Sequence, residues 1–177
     1  MTTPMTTRAL AIDQLAEAAE RAPQAPVLPG RNGDGWKRLT NAEAWARSGA
    51  VASWLIGQGF GPGARSLAVQ AEDSPHRVVL LLGALRAGAL VVADGGHPAD
   101  PPGLAFKSVE GHLATLSGIA FAALAGCSID ASVAERRRHI DVDTPARLVG
   151  HICQRHGELA GVADAIALPS DGEAASR

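Results

Sequence analysis

The stretch Ser66-Leu-Ala-Val-Gln70-Ala-Glu-Asp-Ser74-Pro-His-Arg-Val-Val-Leu80-Leu-Leu-Gly-Ala-Leu85-Arg-Ala-Gly88-Ala-Leu90-Val-Val-Ala93 decides the fold class. Ser66 to Ala71 reads as a short strand. Ser74-Pro75 then opens a helix, with Ser as N-cap and Pro at the first helical position, where a missing N–H costs nothing. Gly88 supplies the left-handed residue that closes the helix, and Ala89 to Ala93 reads as a second strand. Strand, helix and strand within about thirty residues make a βαβ unit with parallel pairing.

Toward the N-terminus, Thr40-Asn41-Ala42-Glu43 reads as a capping box, in which the Thr hydroxyl accepts from the Glu43 backbone. The helix it starts carries Ala42, Trp45, Gly49, Ala52, Leu55 and Ile56 on its candidate inward face, and Gly59 is placed as its C-terminal cap. Before it, Val27-Leu28 and Trp36 to Leu39 are short strand candidates. The intervening Gly30-Arg31-Asn32-Gly33-Asp34-Gly35 holds Asn-Gly and Asp-Gly turn signals, so a β-hairpin is expected. Thr7 to Arg21 shows helical spacing and stops at Ala22-Pro23.

Beyond Ala93 the pattern loosens. Residues 94–103 read as loop, and Val109 to Ala125 is an apolar run broken by Gly111 and Gly118. Ser132 to His139 reads as an exposed helix, and Thr144-Pro145 as the start of another through about His156, with Leu148, Ile152 and Val149 inward. The expected architecture is α/β: a partial layered sheet with a β-hairpin and one βαβ unit, then a helical C-terminal half. Residues 1–93 form one part and 94–177 an unassigned, mainly helical part with a frayed tail after about residue 163.

Composition narrows the function classes. The chain has 177 residues, 16 Lys+Arg against 18 Asp+Glu and a net charge of -2. The longest basic run is Arg136-Arg137-Arg138, too little for a dedicated nucleic-acid binder. No apolar run approaches the ~18 residues of a membrane span. The N-terminus lacks the charged start and apolar stretch of a signal peptide, and two cysteines give no disulfide framework. A cytoplasmic location is the expectation. The 35 Ala, 3 Phe, 3 Trp and absent Tyr leave the core few large anchors, so modest stability is expected.

Local clusters disclose no chemistry. His151 and His156 flank Cys153, but five positions apart on a helix they would point about 140° apart, so a surface helix is expected rather than a metal site. Gly57, Gly59, Gly61 and Gly63 follow a helix and precede a strand, the reverse of a phosphate loop. Thr115-Leu116-Ser117-Gly118 lacks a downstream Lys. Cys127 and Cys153 read as inert thiols and His97 as a solvated loop residue. Glu72-Asp73 lie at a strand end, the edge where α/β sheets bind ligands, although helix-start electrostatics accounts for them equally. Trp36, Trp45 and Trp54 read as packing residues. No catalytic residue and no metal ligand is assigned, and cofactor-binding residues stay unknown.

As a series, these segments resemble the N-terminal part of the adenylate-forming (AMP-binding) superfamily of acyl- and aryl-CoA synthetases. Gly33-Asp34-Gly35-Trp36-Lys37-Arg38-Leu39-Thr40-Asn41-Ala42-Glu43 is similar to that family's Leu-Thr-Tyr-x-Glu passage, and its wording is nearest to feruloyl-CoA synthase-like ligases. Ala52 to Gly63 and Leu67 to Val92 are similar to the stretches that follow, so the resemblance covers about residues 10–93. It implies a ligase scaffold whose full-length relatives use ATP, Mg and CoA to activate a carboxylic acid. The family's Pro-Lys-Gly phosphate loop and catalytic Lys have no counterpart. The two lysines, Lys37 and Lys107, lie in neither motif, so no functional residue carries over. The resemblance thus implies a truncated or frame-disrupted synthetase, inactive alone and binding no cofactor by itself. The alternative is a non-enzymatic interaction module, completed by a complementing ligase fragment or by self-association.

Overall fold

The computed structural model of the chain describes residues 9–93, 102–109, 112–115, 121–125, 128–149 and 151–167. His97, Cys127, the N-terminal octapeptide, Leu116 to Gly118 and the tail after residue 167 lie outside the described residues. In chain order the elements are α1 (Ala11–Arg21), α2 (Asp34–Arg38), α3 (Asn41–Gly57), β1 (Ser66–Gln70), α4 (Pro75–Ala87) and β2 (Leu90–Val92). They continue with β3 (Leu104–Val109), β4 (His112–Thr115), α5 (Phe121–Ala125), α6 (Ala131–Arg137), β5 (Pro145–Val149), β6 (Ile152–Arg155), a 3-10 turn (His156–Glu158) and α7 (Val162–Ile166).

The expected βαβ unit is present. β1 and β2 pair in parallel, with Ser66 opposite Leu90 and Ala68 opposite Val92. The Ser74 hydroxyl accepts from the Arg77 N–H at 3.2 Å, and Gly88 ends α4 at φ 71°. The Thr40 hydroxyl likewise accepts from the Glu43 N–H at 3.2 Å and starts α3. Each cap satisfies a donor that the first helical turn would otherwise leave open.

The sheet is wider than this unit. Its order is β4-β3-β1-β2-β5-β6. β3 lies parallel beside β1 and β5 parallel beside β2. Antiparallel partners β4 and β6 complete the two margins. Leu67 and Val69 of β1, Val91 of β2 and Phe106 of β3 join the buried cluster built with α3 and α4. Ser66, Ala68 and Gln70 alternate with them and are half-buried or exposed, as the period of two requires.

Three expectations are corrected. Residues 34–38 form the helical turn α2 instead of a hairpin strand. The two arms still meet, since Val27 N–H donates to the Leu39 carbonyl at 3.1 Å and Pro26 bridges Thr40 in antiparallel fashion. Pro26 and Pro29 have no N–H to give to a longer ladder. Secondly, among the described residues the part after Ala93 is not mainly helical, since it holds β3 to β6, four of the sheet's six strands. Thirdly, Thr144-Pro145 does not cap a helix. The Thr144 hydroxyl is used in a turn, where it accepts from the Asp141 N–H at 3.0 Å, and Pro145 becomes the first residue of β5. Ile152, expected inward, is 68% exposed on β6, while Leu148 is buried as expected.

Arginines tie the later segments to the earlier ones. Arg136 Nη1 donates to the Phe60 and Ala87 carbonyls, each at 2.7 Å. Arg137 grips Asp13 of α1 with two bonds of 2.9 and 2.6 Å. Arg147, buried on β5, donates to the Asp164 and Ala167 carbonyls at 2.6 and 2.7 Å, to the Asp164 carboxylate and to Gln154 Oε1. It thereby holds α7.

Candidate functional site

The strand order reverses direction at β1. The chain leaves β1 for β2 on one side and later returns to β3 on the other. A crevice is expected beyond the carboxyl ends of strands at such a switch point. A cavity of about 440 Å³ lies there, lined by Glu72 and Asp73 just after β1, Ser74 and His76 at the start of α4, and Ser108 near the end of β3. Its opposite wall is Gly35 and Arg38 of α2 and Glu43 and Arg47 of α3. The volume is within the range of small-molecule pockets.

Local chemistry shapes each wall. Ser108 Oγ accepts from the Glu72 N–H at 3.3 Å, joining the β1–α4 loop to β3. Asp73 is paired with Arg31 and, at 3.8 Å, with Arg77. Arg47 faces Glu43 at 3.6 Å, one helical turn apart. The Arg31 guanidinium also lies 5.4 Å from the centre of the Trp36 ring, which steadies the loop before α2. His76 packs its ring 5.4 Å from that of Phe121. The lining therefore offers guanidinium groups, carboxylates, an imidazole and hydroxyls in one concavity, a set suited to holding a polar ligand by ion pairs and hydrogen bonds.

Of the residues singled out in the sequence, Glu72 and Asp73 are brought to this cavity. The others are dispersed. Lys37 is exposed on α2 and Lys107 is exposed on β3. Cys153 is an exposed free thiol on β6, His151 is in the turn before it, and His156 is buried in the 3-10 turn. That separation corrects the surface helix expected for His151, Cys153 and His156. Among the described residues no group of three or more His, Cys, Asp or Glu could hold a metal ion. Gly59 and Gly63 take φ of 87° and 70° within turns, as their order in the chain implied. Trp45 does more than fill space, since Arg86 stacks 3.6 Å from its ring centre and donates to its carbonyl at 2.6 Å. Arg38, Arg47 and Ser108 had no sequence signal as site residues. Only the nonlocal pairing of β3 with β1 brings Ser108 there.

Comparison with known proteins adds three findings. The AMP-binding enzyme family matches residues 15–99, a little under half of the chain. No curated protein matches. Among solved structures, a Mycobacterium tuberculosis fatty acyl CoA synthetase is similar in fold at 17% identity and a TM-score of 0.51, covering 83% of this chain and 34% of that one. The N-terminal domain of FACL13 from Mycobacterium tuberculosis, also 17% identical with a TM-score of 0.51, covers 84% of this chain and 44% of that one. The chain spans less than half the length of these solved chains. The six-stranded mixed sheet with its two capped helices is thus the fold of an acyl-CoA synthetase N-terminal domain, and residues 15–99 within it match the AMP-binding enzyme family.

Proposed function

We propose that this chain is the N-terminal scaffold of an acyl- or aryl-CoA synthetase, of feruloyl-CoA synthase-like type, and that by itself it does not activate carboxylic acids. The observation that carries the reading is where the family match falls. It spans α1 to β2, the elements that build the helical layer and the first two parallel strands.

The placement of the lysines supports this reading. Transfer of an adenylyl group depends on positive groups aimed at the charge developing on the phosphates. The two lysines of the chain are Lys37 on α2 and Lys107 on β3. Neither lines the cavity. Of the two guanidiniums in its lining, Arg47 is paired with Glu43, while Arg38 makes no ion pair among the described residues, and Glu72 and Asp73 line the cavity beside them. A polyphosphate would meet those carboxylates as well as the guanidiniums.

The test is acid-dependent exchange of pyrophosphate into ATP by the purified chain, with ferulate-like and fatty acids. The expected result is exchange at the no-enzyme background. Formation of an acyl-adenylate by the chain alone would overturn the reading.

A further inference from the structure

His156 is 1% exposed, and among the described residues neither of its ring nitrogens has a hydrogen-bond partner. A buried imidazole without partners is unusual and asks for a reason. It sits where three segments meet. Its own N–H donates to the Thr144 carbonyl at 2.9 Å, and the Gly157 N–H donates to the Val142 carbonyl at 2.9 Å. A Cβ on Gly157 would lie 2.8 Å from that of Val142, so the turn is seated closely on the 141–144 loop. The charged groups that act on the ring are Arg137 of α6, which Asp13 of α1 holds, and Asp141 of the loop.

We propose that His156 is an acid-sensitive latch: neutral, it packs the 3-10 turn against the 141–144 loop beside Arg137 of α6, and protonated, it releases β5, β6 and α7 while α3 and α4 stay folded. Protonation would place a second cation beside Arg137 with no acceptor for either ring N–H. Burial, then Arg137, push the imidazole down to about 4, against the opposing pull of Asp141. The attachment it guards joins β5 and α7 to β2 and to α1 and α4. β5 meets β2 through two residue pairs, Val91 with Arg147 and Val92 with Leu148, extended by the Ala93 N–H to the Leu148 carbonyl at 3.0 Å. α7 is held by Arg147 of that same strand and by Ile166, which is buried in the core.

Because the released imidazole returns to its ordinary affinity for protons, opening grows as pH falls below about 6.5. Amide hydrogen exchange of the full chain, followed by NMR at about pH 7.5 and about pH 5, tests this. The opening equilibrium at Ala93, His156 and Gly157 should rise roughly 30-fold, while Val51 of α3 and Leu82 of α4 remain clearly more protected than these amides. His156→Leu or His156→Phe should flatten the dependence. One shared opening equilibrium for all five amides at the lower pH would overturn the latch, as would an unchanged dependence in a folded variant. Where neither variant folds, titration of the His156 ring in the native chain decides. A midpoint near 4 supports the latch, and one near the ordinary histidine value removes it.

Discussion

A Cβ added at Gly83 of α4 would lie 2.5 Å from Val51 Cγ1 and 2.6 Å from Val51 Cβ on α3. The valine is β-branched on a helix and has little rotamer freedom to yield. Gly83→Ala should therefore push the two helices apart and cost about 1–3 kcal/mol, read as a lower midpoint in thermal unfolding. Gly57, also helical, has open space around its missing Cβ. Gly57→Ala should be neutral or stabilise by about 0.5 kcal/mol, through the reduced freedom of the unfolded chain. At Ser74, replacement by Ala removes the acceptor for the Arg77 N–H. It should cost about 1 kcal/mol in urea unfolding without changing the slope. Ser74 was legible in the sequence because caps are local: Ser-Pro, Thr-x-x-Glu and a closing Gly state their roles within one turn, whereas the helical place of Gly57 and the seat of Gly83 against Val51 emerge only in the fold.

At the scale of elements, legibility tracked contact distance. α3, β1, α4 and β2 form from neighbouring signals and were read correctly. The β5–β6 hairpin was not, because Ala146, Arg147 and Leu148 are buried in succession without a period of two, and one of them is a cation that pattern reading assigns to solvent. Arg147 is buried because carbonyls from α7 and the Gln154 side chain meet its guanidinium, and those partners become visible only after folding. Phe121 of α5 is 1% exposed, yet the glycines of its sequence neighbourhood had masked any helical period. The cavity was half legible. Glu72 and Asp73 sit beside a strand end in the sequence itself, whereas Arg38, Arg47 and Ser108 arrive from three other elements. Arg147→Met should free α7, lose about 2–3 kcal/mol of stability and raise amide exchange in residues 162–166 first.

For the whole molecule, pH is the sharpest probe. The His156 imidazole is lowered in the fold to about 4 from its model-peptide value of 6.5. The stability tied to its neutral form is complete above about 6.5 and is lost as pH falls through that window. On the order of 3 kcal/mol should disappear between about pH 7 and about pH 4 in guanidinium titrations, and His156→Leu should reduce that loss. Among the described residues β6 also ends one side of the sheet with no strand beyond it. β6 presents Ile152 at 68% exposure, with Cys153 exposed beside it. A bare hydrogen-bonding rim of this kind is a template on which further chains can polymerise. Concentrated solutions should turn turbid on warming, and Ile152→Lys should delay the onset, so this margin sets the ceiling at which the protein can be handled.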